Sequence, residues 1–326
     1  MRRLFPILCA SLLASVTVLH GAAAQNYPSK DVRMIVPWGA GGGTDGIVRK
    51  ISTLAEKQLG GTIYVENIEG GVSATGVMQA MKARPDGYTV ASLTYDSVIT
   101  VPFQKLLPGY SMDKLAFVAR VTSEPDAIIV GKAAPYKTLD DLVKAAKASP
   151  GAIKIAIQEI GSRTHLAMLR LQSMTGTQFK LIAYPGGAAP QKEALLSGET
   201  QVAVTSLGDF ASLIESGDAR GLIEFSDVRN PTYKDVPTTK DAGLDLQVGS
   251  FIVLAAPAGT PAPVIAKLEA AYKAAYDSKE FQDWVAKVGV TPSWLAAAQT
   301  RPWIDRTQGD IFGLMTKLQD EGVLKK

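Results

Sequence analysis

The stretch from Val32 to Leu59 constrains the fold more than any other part of the chain. Val32 to Val36 (VRMIV) is a short β-branched run that stops at Pro37, and Trp38-Gly39-Ala40-Gly41-Gly42-Gly43 leads from it into an apolar helical pattern at residues 44–59. Strand, glycine loop and helix in that order make the first part of a βαβ unit. The pattern recurs with a strand at 62–66, a helix at 73–83 and a strand at 88–93 after the Pro85-Asp86-Gly87 turn. Alternation of this kind predicts a parallel sheet with helices on both faces.

A second series follows: helix 139–148, strand 153–157, helix 164–175, strand 180–183, helix 189–196 and strand 201–204. The expected fold class is therefore α/β, with two doubly wound modules. Extended stretches at 116–130 and 221–225 read as two crossover strands between them. A strand at 249–256 and helices at 263–278, 279–288 and 304–319 then complete the first module. The expected lobes are residues 25–122 plus 226–326, and residues 123–225. Open sheets of this type take ligands at the carboxyl ends of their strands, here between the lobes.

Residues 1–24 read as a secretory signal peptide, with Arg2 and Arg3, an apolar run from Ile7 to Leu19, and Gly21-Ala22-Ala23-Ala24 before a cleavage point near Ala24/Gln25. Cys9 lies within the apolar run rather than at the cleavage point, which argues against a lipid anchor. The segment holds two arginines and no acid. With 34 Lys+Arg against 31 Asp+Glu overall, the mature chain is balanced to within one charge. Nucleic acid is therefore not an expected partner. Removal of the segment also takes Cys9 and His20, leaving His165 alone, which excludes disulfides, thiolate chemistry and metal sites built on two His or on Cys. No metal or cofactor is expected.

The glycine loop supports more than one chemistry. Its unpaired N–H groups, together with the Thr44 hydroxyl and the helix dipole, suit a small anion such as a carboxylate. A dinucleotide fingerprint would use Gly39 and Gly41, with Glu66 as the ribose acid, but Thr44 replaces the third glycine. A merely tight loop capped by Thr44 or Asp45 is the plainest alternative. Three consecutive glycines cost backbone entropy that a simple turn does not require, which favours the anion site.

Gln158-Glu159-Ile160-Gly161-Ser162-Arg163-Thr164-His165 lies between strand and helix in the second module, where it can face the first loop across a cleft. Arg163 could pair with a second ligand carboxylate or point into water, and His165 could touch ligand or hold its own loop. An exported α/β hydrolase using Ser162 and His165 is the enzymatic alternative, though no G-x-S-x-G elbow is present. Tyr184-Pro185-Gly186-Gly187 forms a third loop on the same rim, and Ser206 follows the 201–204 strand. Trp38, Tyr95 and Phe251 are aromatics at strand ends or turns, available to a cleft or to the core.

In order along the chain, Val36-Pro37-Trp38-Gly39-Ala40-Gly41-Gly42-Gly43-Thr44-Asp45, Val65-Glu66-Asn67, Pro85-Asp86-Gly87-Tyr88-Thr89, Gly161-Ser162 with His165-Leu166, Tyr184 with Gly186-Gly187, Asp235-Val236-Pro237-Thr238 and Ala256-Pro257-Ala258-Gly259-Thr260-Pro261 resemble the tripartite tricarboxylate transporter receptors, also called Bug proteins. The resemblance runs along nearly the whole mature chain. It implies a periplasmic binding protein of the type II-like, two-lobed kind, not an enzyme. Such a protein closes as a monomer on a small carboxylate and delivers it to a permease of one large and one small integral subunit. By that resemblance Gly41, Gly42, Gly43 and Thr44, with Gly161 and Ser162, grip a ligand carboxylate. Trp38, Gly39, Ala40, Tyr95, Gln158, Arg163, His165, Tyr184, Gly186, Ser206 and Phe251 complete the candidate set.

Several residues depart from the family's usual pattern. Trp38 stands where Phe is usual, Arg163 where Pro is frequent, Pro185 where Lys is, Thr205 where Asp or Gly is, and Phe251 where Trp is. Arg163 points to a second acidic group and so to a C4 to C6 dicarboxylate, whereas Trp38 and Phe251 would line a flatter pocket for an aromatic or nicotinate-like acid.

Overall fold

A computed structural model describes residues 27–320 and Gly322. The expected signal segment, residues 1–24, lies outside the described residues. Among the described residues no helix is long and apolar enough to cross a membrane.

The strands are β1 (Val32–Val36), β2 (Ile63–Asn67), β3 (Thr89–Leu93), β4 (Leu115–Gly131), β5 (Lys154–Ile157), β6 (Lys180–Ala183), β7 (Val202–Ser206), β8 (Ala219–Glu224), β9 (Gly249–Pro257) and β10 (Pro292–Ala296). Their order is β2-β1-β3-β9-β4-β7-β5-β6, with β8 and β10 also paired to β4. The sheet is curled and built in two parts that share β4. The first lobe holds β1, β2, β3, β9, β10 and the first part of β4; the second holds the rest of β4 with β5 to β8.

Within the βαβ units the pairing is parallel, β1 with β2 and β3, and β5 with β6 and β7. The expectation of wholly parallel sheets fails at the centre, where β9 runs against β3 and β4 runs against β7, β8, β9 and β10. A parallel neighbour needs a crossover connection. β9 has none, because it enters the first lobe directly from the second.

β4 is the first crossing strand. Leu115 to Pro125 pair with β9, and Asp126 to Gly131 pair with β7 and β8. The return differs from the expected one at 221–225: that stretch lies in β8, paired to β4 inside the second lobe. The chain crosses back further on, where the Asp126 N–H reaches Val248 O at 2.8 Å and Glu124-Pro125 lie opposite Ser250-Gly249. Gly249 is required there, because a Cβ would stand 2.3 Å from the Glu124 carbonyl oxygen.

Apolar side chains bury on both faces of each lobe, as near-continuous apolar strands require. Met34, Val36, Ile47, Ile51, Leu268, Tyr272 and Phe281 pack one face of the first lobe, while Ile35, Leu93, Ile99, Phe117 and Val253 pack the other. Ile128, Ile155, Met168 and Phe225 do the same for one face of the second lobe. At ~25 cal/mol per Å² of buried apolar surface, these clusters rigidify each lobe and leave the strand ends free to carry the site. The C-terminal helix runs from Ala297 to Asp320 with Pro302 inside it, so it begins before the expected 304.

Candidate functional site

The loops after β1, β5, β6 and β7 converge on a cleft between the lobes. Trp38, Gly42, Gly43, Thr44, Gln158, Arg163, Gly186, Gly187, Ala188, Ser206 and Asp209 line it, with Glu124 of β4 and Ser250 of β9 on its floor, around an empty space of about 400 Å³ counting its open mouth.

On the first-lobe side, Gly43–Leu59 forms a helix whose first turn faces this space. Asp45 fixes the loop before it. Its carboxylate accepts the Gly41 N–H at 3.0 Å, Arg49 Nε at 2.9 Å and Asn67 Nδ2 at 2.9 Å. Burial opposes its ionisation, but these donors and the Arg49 charge hold its pKa below the usual carboxylate range. The Gly39 N–H is taken by Gly186 O at 3.0 Å, across the cleft. Among the described residues the N–H groups of Gly43 and Thr44 have no acceptor in the protein. Those two donors stand at the positive end of a 17-residue helix, a setting that suits an anion. Trp38 lies beneath them, its Nε1 donating to Thr94 Oγ1 at 3.2 Å.

On the second-lobe side, Ser162 caps the helix Arg163–Thr175. Its hydroxyl accepts the N–H of Glu159 at 3.3 Å and of His165 at 3.4 Å, and lies 3.0 Å from Thr164 Oγ1. The Gly161 N–H donates to His165 Nδ1 at 3.0 Å. Burial pushes the His165 pKa down, so the ring is held neutral with Nδ1 as acceptor. Ser162 and His165 are therefore not paired as nucleophile and base. Neither Gly161 nor Ser162 lines the cleft, because their N–H groups are consumed within the loop and the Gly161 carbonyl takes Gln104 Nε2 from the first lobe at 3.1 Å.

Arg163 is buried, and its guanidinium is held by its own lobe. Its Nε lies 2.8 Å from Asp126 Oδ2, its Nη2 2.8 Å from Asp126 Oδ1, and its Nη1 3.1 Å from Gln158 Oε1. A second acid, Asp96 of the first lobe, stands 3.6 Å from Nη1. This is the reason the expected pairing of Arg163 with a ligand carboxylate is not available in this geometry. Burial pushes Asp126 up to about 6 despite the guanidinium, and burial with the nearby Asp209 charge pushes Glu124 up to about 7.

Of the expected residues, Trp38, Gly42, Gly43, Thr44, Gln158, Arg163, Gly186 and Ser206 meet in the cleft. Ala40 and Gly41 are exposed on its rim, and Tyr184 packs against the second-lobe core. Tyr95 and Phe251 line a different, adjoining cavity with Phe225 and Trp303. Glu124, Asp209, Gly187, Ala188 and Ser250 were not expected. The Ser123-Glu124-Pro125-Asp126 interruption of an apolar strand was the visible signal for the first of these.

The family model for the tripartite tricarboxylate transporter family receptor matches residues 47–312. The chain is 28% identical to protein BugT of Bordetella pertussis over 295 residues, 90% of each chain. Among solved structures it resembles the periplasmic binding protein BugD, with a TM-score of 0.84 and 27% identity over 92% of this chain and 100% of that one. It also resembles MatC from Rhodopseudomonas palustris with bound malate, with a TM-score of 0.77 and 26% identity over 88% of this chain and 100% of that one.

Proposed function

The chain belongs to the tripartite tricarboxylate transporter receptor family, whose members are solute-binding receptors, and on that premise we propose that it captures a small carboxylate in the periplasm and delivers it to a membrane permease. The observation that carries this reading is the pair of unpartnered N–H groups, Gly43 and Thr44, at a helix start inside an interlobe cleft. One carboxylate seats there while the lobes are apart. Closure of the second lobe, residues 123–225, on the first, residues 25–122 plus 226–326, then raises the population of the state the permease recognises. The permease has one large and one small integral subunit, the receptor acts as a monomer, and export follows cleavage near Ala24/Gln25.

C4 to C6 dicarboxylates are the first class to test, since malate occupies MatC. Arg163 gives that class no support, its charge being met by Asp126 and Asp96. An aromatic or nicotinate-like acid would rest on Trp38 alone, with Tyr95 and Phe251 in the adjoining cavity.

Thermal unfolding against mono-, di-, tri- and aromatic carboxylates tests the reading. A solute at 100 times its dissociation constant stabilises the protein by about 2.7 kcal/mol, a shift of several degrees. A shift for one class of carboxylate supports the proposal. Absence of any shift, in protein shown by mass spectrometry to be free of bound solute, would overturn it.

A further inference from the structure

We propose that Glu124 and Asp209 form a cation subsite in the cleft, so that the solute carries a hydrogen-bonding cationic nitrogen, an ammonium or guanidinium, beside its carboxylate. This inference rests on the carboxylate-receptor reading and narrows it.

Glu124 is only 7% exposed and lies between the cleft and the adjoining cavity, lining both. Its Oε1 accepts Thr122 Oγ1 at 2.7 Å, while among the described residues Oε2 has no partner. A carboxylate oxygen with no protein partner, on a side chain otherwise nine-tenths buried, is open to a donor from the ligand. Asp209 supplies a second carboxylate. Its Oδ2 is held by the Thr205 hydroxyl and its N–H by Ser206 Oγ, so the side chain is fixed. Its Oδ1 lies so close to the helix start that a Cβ on Gly43 would stand 1.7 Å from it. The acid is thus adjacent to the Gly43 and Thr44 donors, as the two ends of a short zwitterion require.

Among the described residues no cation hydrogen-bonds Glu124 Oε2 or Asp209, and the Arg163 charge reaches them only at a distance. Arg163 gives its donors to Asp126 and Gln158, with Asp96 beside it. Lys192 bonds the Gly41 carbonyl at 3.4 Å and does not line the cleft. One guanidinium therefore faces four carboxylates, and a purely anionic solute would add charge of the wrong sign. Burial and the Asp209 charge raise the proton affinity of Glu124, which is the same deficit seen from the protein's side.

Isothermal titration of the protein with chain-matched probes tests the subsite: butyrate, glutarate and γ-aminobutyrate, and propionate, succinate and β-alanine. The amine-bearing member of each set is expected to bind about tenfold or more tightly than its amine-free partners. Glu124→Gln and Asp209→Asn are each expected to remove that preference, read as the ratio of the amine-bearing to the amine-free dissociation constants. The wild-type comparison decides on its own if a variant melts early. Equal or tighter binding of the amine-free members would overturn the cation subsite and leave the carboxylate receptor standing. No binding by any member would overturn the receptor reading and the subsite with it.

Discussion

Asp96 of the first lobe accepts the main-chain N–H of Arg163 of the second lobe at 2.7 Å, and its other oxygen stands 3.6 Å from the Arg163 guanidinium. Both side chains are buried, and Thr100 Oγ1 completes Oδ1 at 2.7 Å. The guanidinium itself belongs to its own lobe through Asp126. When the lobes part, Arg163 therefore leaves with Asp126 and Asp96 is left to water. Under the proposed closure of the lobes, the contact is a latch of the closed form.

Replacing Asp96 by Ala removes the latch without unpairing Arg163. The expected result is a larger radius of gyration in solution scattering and roughly tenfold weaker solute binding, the worth of a hydrogen bond to a charged group. Scattering and affinity unchanged from wild type would mean that closure draws nothing from this pair.

Arg163 behaves differently. Arg163→Leu strands Asp126 as an unpaired buried acid in either form, and Asp96 with it where the lobes are closed, and loss of one partner of a buried pair costs about 3–5 kcal/mol. Urea unfolding is expected to show that loss in the absence of any solute. A cost under about 1 kcal/mol would mean that the two acids are protonated at neutral pH and have no need of the arginine.

Glu124 gives the stability a pH dependence of known sign. Its pKa is raised from 4.5 to about 7 by burial and by Asp209, so the folded state holds its proton more tightly than the unfolded one. The associated stabilisation is complete below 4.5 and is lost as pH rises through about 7. Glu124→Gln removes it, so between pH 5 and 8 the wild-type melting temperature should fall more steeply than the variant's. The difference corresponds to roughly 3 kcal/mol at most. Parallel curves for the two proteins would show that Glu124 titrates as an ordinary surface carboxylate.

The lobes were legible because βαβ alternation is a local pattern, and each strand-to-helix loop had to land on the same rim. Pairing at the centre was not, because whether β9 meets β4 parallel or antiparallel depends on where the chain returns and leaves no trace in either strand's composition. Of the first glycine loop, Gly42, Gly43 and Thr44 reach the cleft, as their place between a strand and a helix led one to expect. Arg163 misled, since nothing near it in sequence announces Asp126 or Asp96 as its partners, 37 and 67 residues away. Gly161 and Ser162 misled for a related reason. A loop that looks like an anion site can spend its amides on its own His165 and Glu159. Glu124 was readable in principle, as an acid within the polar Thr122 to Asp126 interruption of an otherwise apolar strand.

Gly43 lies where the solute's carboxylate is expected and where Asp209 closes in from the other lobe. Its helical backbone tolerates alanine, and helix propensity alone would make Gly43→Ala neutral or slightly stabilising. In the closed form, however, the new Cβ would sit 1.7 Å from Asp209 Oδ1 and 2.8 Å from its Cγ. Under the proposed parting of the lobes, Asp209 moves away with the second lobe and the conflict is relieved. Gly43→Ala should therefore leave urea unfolding of the solute-free protein within about 1 kcal/mol of wild type while reducing solute affinity by a hundredfold or more. Gly42→Ala, whose Cβ meets only the Gly39 carbonyl at 3.4 Å, should bind within a few-fold of wild type. Asp209→Gly in the Gly43→Ala background removes the clashing atoms, so closure should return even though the acid is gone. Scattering measures that recovery independently of affinity. If the double variant stays as open as Gly43→Ala alone, Asp209 is not the group that Gly43 makes room for.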